Sequence, residues 1–148
     1  SGVGHLARQE LVCSMLLQLV YASRPFGFDA GTLLSILFKS RANNEATDVT
    51  GCLICRDDLY LQMLEGPSNR VIETFNRIRN DDRHIEVTEL LRQRIDDRLF
   101  GKWSMCDDPV RSWMWTRDQV EKGAVTTARP VEILRIFRRI AARANDNT

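Results

Sequence analysis

No apolar run in this chain approaches the ~18–20 residues that a helix needs to cross a bilayer, and no basic, apolar, then small-residue progression opens it as a secretory leader would. Those two absences predict a cytoplasmic protein. Histidine is almost missing, at two residues, and the four cysteines, Cys13, Cys52, Cys55 and Cys106, do not resemble a disulfide framework. Cys52 and Cys55 have the spacing of a metal knuckle. Within a strand, however, an odd separation sends them to opposite faces, and a zinc site is not expected. Net charge is only +1, which removes any global case for nucleic acid or a membrane surface. Internal repeats and low-complexity segments are absent as well.

What is present suits one soluble domain: 148 residues, 43% hydrophobic and 28% charged, enough to bury a full core. Charge is unevenly spread. Residues 110–148 hold eight Lys/Arg against four Asp/Glu, while the first 109 carry 13 against 16. In the tail, Arg135, Arg138, Arg139 and Arg143 fall mostly away from Leu134 and Phe137, as on a solvated helix face, and DNA binding is disfavoured. Ser1-Gly2 resembles a cleavage scar and Met15 reads as a native start. Residues 1–14 are therefore an extension without an assigned role.

The pattern along the chain predicts an α+β domain. Leu16 to Ala22 alternates, with Leu17, Leu19 and Tyr21 on one face and Leu16, Gln18, Val20 and Ala22 on the other. Asp29 caps a helix over about 30–43, closed by Asn43-Asn44. Val49–Cys55 and Leu59–Glu65 form a hairpin, and Gly66-Pro67 starts a second helix with Val71, Ile72, Phe75 and Ile78 as its apolar stripe. Strands over about His84–Leu91 and Lys102–Cys106 follow. This order is the ferredoxin-like one, a sheet of about five strands with two helices on one face. Beyond Asp107-Asp108-Pro109 lie a short helix capped by Thr116 and a last helix opened by Pro130. Ile133, Leu134, Phe137 and Ile140 would let that tail cap the open sheet face or dimerise there.

Gln62 stands in the middle of an apolar strand. An enclosed amide costs about 1–3 kcal/mol if unpaired, so it needs specific partners. Tyr21 on the first strand and Asn44 at the end of the first helix converge on the same layer. Tyr21 and Gln62 can pair and still leave amide groups for a ligand; a self-satisfied core pair is the plainer alternative.

Six motifs in register go further: Leu19-Val20-Tyr21-Ala22-Ser23, Ser40-Arg41-Ala42-Asn43-Asn44, Val49-Thr50-Gly51, Leu61-Gln62-Met63-Leu64-Glu65-Gly66, Arg83-His84 and Trp103-Ser104-Met105. Their order and spacing closely resemble the BLUF family of blue-light sensors using flavin, over about residues 15–108. The resemblance implies a flavin between the two helices, FAD by preference with FMN as the alternative. Ile36 and Ile78 would sandwich the ring, Asn44 would bond its polar edge, and Ser23 and Ser40 go with them to the cofactor. Arg77, Arg83 and His84 would offset the phosphate at the negative end of the second helix. Gln62 corresponds to the switch residue and Tyr21 to its phenol partner, which gives an electron and a coupled proton to the excited flavin and recovers both. Gln62 is left rotated or tautomerised. Trp103 and Met105, two apart on the fifth strand, would relay the change to the 109–148 extension.

A non-catalytic photosensor without an appended effector is thus expected, signalling through a downstream protein or altered homo-oligomerisation. Two other classes fit the sequence less well. A flavin-less ferredoxin-like interaction module would have no need of Tyr21, Gln62 and Asn44 together. A small hydrolase would need a glycine-rich cradle or a paired nucleophile and histidine, and neither is found.

Overall fold

Strand β1 (Leu16–Pro25) is apolar on both faces because both faces are covered. The computed structural model describes residues 15–25, 30–56, 58–81, 84–101, 105–109 and 115–146. After β1 come α1 (Ala30–Thr47), β2 (Thr50–Arg56), β3 (Leu59–Pro67), α2 (Ser68–Arg79), β4 (His84–Ile95) and β5 (Cys106–Pro109). The tail adds α3 (Arg117–Glu121), α4 (Ala124–Thr127) and α5 (Pro130–Asp146). One five-stranded sheet runs β4-β1-β3-β2-β5, antiparallel except for the β2–β5 pair. The ferredoxin-like class expected from the element order is the one observed.

Alternation along β1 and β3 separates two cores. Leu19, Tyr21, Tyr60 and Leu64 pack with Ile36 of α1 and with Val71 and Phe75 of α2. Val20, Ala22, Leu61 and Met63 face the other way, against Val125, Ile133, Phe137 and Ile140 of the tail. The amphipathic C-terminal helix therefore closes the second sheet face, as its spacing predicts. Cys52 and Cys55 fall in opposite cores, which rules out a joint metal site for the pair.

A buried carboxylate ties that second core together. Glu65 is fully enclosed and accepts hydrogen bonds from Gln18 Nε2 (2.8 Å) and from the backbone N–H groups of Leu99 (3.0 Å) and Phe100 (2.8 Å). Gln93 Nε2 in turn donates to Gln18 Oε1 at 2.7 Å. Three donors on one carboxylate offset its desolvation and seat Phe100 edge-on to Phe137, with ring centroids 6.2 Å apart. Gly51 explains itself by close approach: a Cβ there would stand 1.9 Å from the Met63 carbonyl oxygen on β3.

Several boundaries differ from expectation. Helix α1 does not stop at Asn43-Asn44 but runs to Thr47, where Asp48 takes the left-handed conformation (φ 59°) and Val49 N–H returns to the Asn44 carbonyl at 2.9 Å. Pro67 ends β3 and caps α2 from outside, so the helix proper begins at Ser68. Strand β4 continues past Leu91 to Ile95 because β1 offers it partners down to Leu16. Among the described residues the fifth strand is Cys106–Pro109, beginning where the expected one over Lys102–Cys106 ends, and Met105 precedes it as a bend; residues 102–104, Trp103 included, lie outside the described residues. Arg56 fastens the start of the tail: it pairs with Asp58 in the hairpin and also donates to the Trp115 carbonyl at 3.1 Å. Thr116 and Gln119 form the capping box of α3.

Candidate functional site

Two helical stripes face each other across a cleft of about 230 Å³. From α1 come Ile36, Lys39, Ser40, Asn43 and Asn44, and from α2 and its end come Thr74, Arg77, Ile78 and Asp81. Each set recurs at three- and four-residue steps, so each is one face of a helix. Gln62 and Leu64 of β3 form the floor. Ile36 and Asn44 are buried, Ser40 and Ile78 are half-buried, and Lys39 and Arg77 reach the mouth exposed.

Gln62 is positioned by its register. It sits opposite Tyr21 on β1 and Leu53 on β2, in the middle of the sheet, and is 3% exposed. The Tyr21 hydroxyl donates to Gln62 Oε1, and Gln62 Nε2 donates to Met105 Sδ at 3.3 Å. A thioether only accepts, so this arrangement, with the amide nitrogen toward the sulfur and the oxygen toward the phenol, gives each neighbour a complementary group. The amide has one N–H left over for the cleft.

Tyr21 itself does not line the cleft. It stands behind Gln62 with no exposed surface, its ring centroid 5.4 Å from that of Phe75, over whose ring the Arg79 guanidinium lies 5.4 Å from the centroid. Burial first, then the neighbouring Tyr60 and Asp81, push the Tyr21 hydroxyl far above its ordinary pKa of 10.0. The phenol therefore keeps its proton. Because the unfolded phenol ionises near 10 and the folded one well above it, this contribution to stability is complete below pH 10 and is lost as pH rises beyond it. The urea midpoint should fall from about pH 10 upward, and less steeply in Tyr21→Phe; equal slopes would contradict a buried, protonated phenol.

Of the residues expected to hold a cofactor, the fold brings Ile36, Ser40, Asn44, Gln62, Arg77 and Ile78 to one cleft. Ser23 lies elsewhere: it is buried two residues further along β1, opposite Tyr60, beside a separate hollow near Arg24 and Asp58. The chain direction carries it past the floor of the site. Arg83 lies outside the described residues, as does the side chain of His84, whose backbone pairs with Pro25 at the start of β4. Met105 is 2% exposed and touches Gln62. Lys39, Asn43, Leu64, Thr74 and Asp81 were missed, although the steps from Ile36 to Lys39 and Ser40, and on to Asn43 and Asn44, are legible as a helix face.

The lining suits a flat heteroaromatic ring with an anionic tail. Apolar Ile36 and Ile78 come from opposite helices, Asn44 and Gln62 offer amide donors and acceptors, and Lys39 and Arg77 supply positive charge at the mouth, Arg77 in the last turn of α2.

Comparison with known proteins gives a consistent answer. A family model described as sensors of blue-light using FAD, BLUF, matches residues 16–106. The chain is 34% identical over 90 residues to photoactivated adenylate cyclase subunit alpha of Euglena gracilis, a match covering 58% of this chain and 8% of that protein. It is 39% identical over 62 residues to the blue light- and temperature-regulated antirepressor BluF of Escherichia coli (strain K12), covering 42% of this chain and 15% of that one. These relatives are far longer than the part this chain spans. Among solved structures, the dark state of BlrB, a BLUF protein, superposes with a TM-score of 0.76 at 26% identity, covering 88% of this chain and 98% of that one. The photo-activated state of BlsA gives a TM-score of 0.69 at 26% identity, covering 86% and 94%.

Proposed function

This chain belongs to the BLUF family and is a flavin-binding blue-light sensor; from that premise we propose that Tyr21 and Gln62 are its photoactive pair and that Met105 is the first residue to register their change. The observation that carries the reading is the continuous line of hydrogen bonds from the Tyr21 hydroxyl through the Gln62 amide to the Met105 sulfur, with Gln62 on the floor of the cleft. Ile36 and Ile78 hold the ring faces, and Asn44 and Ser40 bond its polar edge. Lys39 and Arg77 offset the phosphate, with Arg83 and His84 assigned to the same task. FAD is the flavin favoured by the family description.

Bound flavin supplies blue absorption and, when excited, a one-electron acceptor. Tyr21 is the donor. Its hydroxyl already points at Gln62 Oε1, so the proton released with the electron passes along an existing hydrogen bond. With electron and proton returned to Tyr21, the Gln62 amide would be left rotated or tautomerised, its donor and acceptor ends exchanged. An amide does this at nearly constant shape, which keeps the two arrangements close in energy.

BLUF domains are themselves non-catalytic sensors, and the tail packed on the second sheet face is the route by which this one would act on a downstream protein or on its own association. Among the described residues no helix is long and apolar enough to cross a membrane. A cytoplasmic setting fits.

The test is an absorption spectrum of freshly purified protein in the dark, after blue light and during recovery. Flavin bands that shift slightly to the red and return are the expected result, and chromatography of the released pigment separates FAD from FMN. A colourless protein that takes up no added flavin would overturn the reading in favour of an interaction module.

A further inference from the structure

Met105 is held from two sides. Gln62 Nε2 reaches its sulfur at 3.3 Å, and Arg41 Nε, on α1, donates to its carbonyl oxygen at 3.2 Å. We propose that Arg41 is a positioning residue for the switch, fixing the Met105 backbone so that the sulfur stays against the Gln62 amide. This rests on the assignment of Gln62 given above.

Methionine needs such help. Its unbranched side chain has three rotatable bonds and a weakly accepting sulfur, so the sulfur's position is set mainly by what anchors the backbone. Strand pairing does not reach it: the first register pair between β5 and β2 is Cys106 with Cys52, one residue further on. Arg41 supplies the anchor, with a charged donor on a neutral carbonyl, stronger than a neutral pair. It also comes from the helix that carries Ile36, Ser40 and Asn44, but from outside their stripe, one residue past Ser40. One helix thereby grips both the cofactor cleft and the residue before the edge strand.

The consequence has a sign. Before exchange, Gln62 Nε2 donates to the sulfur. After exchange, the amide oxygen faces it, and two acceptors oppose each other. With Met105 fixed, that opposition favours the return of Gln62. With Met105 released, the sulfur withdraws and the exchanged arrangement persists.

The experiment compares Arg41→Ala, Met105→Leu and the double variant as flavin-loaded full chains. Arg41→Ala should keep its pigment and its red shift but recover in the dark about three- to tenfold more slowly. In the Met105→Leu background the same substitution should add nothing, because Arg41 acts through the sulfur. A second readout needs no light: with methionine methyls labelled with carbon-13, the four signals include one that vanishes in Met105→Leu, and Arg41→Ala should displace that one in the dark. An unmoved Met105 methyl, unchanged recovery, or a slowing that survives in full without the sulfur would each overturn the proposal. A wild-type chain with flavin but no reversible shift would instead overturn the Gln62 assignment on which it rests.

Discussion

Replacing Gln62 by leucine should abolish the reversible red shift and leave the protein yellow. Leucine is close to glutamine in volume but neither accepts from the Tyr21 hydroxyl nor donates to the Met105 sulfur, the two bonds that define the amide's place. Flavin should stay bound, because the residues proposed to meet its ring faces and polar edge, Ile36, Ile78, Asn44 and Ser40, line the cleft and are left in place by the substitution. A stability cost is expected too, since the buried phenol loses its acceptor, at about 1–3 kcal/mol. A light-minus-dark difference spectrum decides the matter. If the leucine variant shows the full shift, the group that moves is not Gln62.

Phe137→Ala carries the largest expected loss of stability, about 3–5 kcal/mol. Its ring is fully buried between the sheet and the rest of α5, edge-on to Phe100. Around it lie Ile133, Ile136 and Ile140, too well fixed by the helix to collapse into the space left behind. The substitution lies on the tail side of the sheet, whereas the cleft lies on the other. Urea unfolding of the flavin-loaded chain should therefore show a much lower midpoint while the light-induced shift at low urea keeps its size. A loss under 1 kcal/mol would mean that the tail is not part of the folded unit.

The two-sided sheet and its cleft were largely legible, and the reasons are specific. Apolar alternation on β1 assigned Tyr21 and Val20 to opposite faces, and the structure keeps them there. The stripes on α1 and α2 have the helical step, but it is the family resemblance that implies a shared place for Ile36, Ser40, Asn44 and Ile78, and one cleft brings the four together. What failed depended on distant partners. The end of α1 is decided by Asp48, an aspartate in a conformation more often given to glycine or asparagine. Strand β5 has four residues, too few to show a period, and its start is set by pairing with β2. Glu65 is apparent in the sequence as part of a motif, but its donors come from β1 and from the turn at Leu99 and Phe100, which only the folded chain brings together.

Strand β5 ends the sheet, with a single neighbour and four paired positions, while Gln62 sits on the central strand with neighbours on both sides. Local opening free energies follow that difference, so amide protons on β5 should exchange with solvent well before those on β3. The amide proposed to move is thus mounted on the central strand, and the sulfur it touches belongs to the residue just before the strand that opens first. A small rearrangement at the centre would be felt one residue from the margin of the sheet.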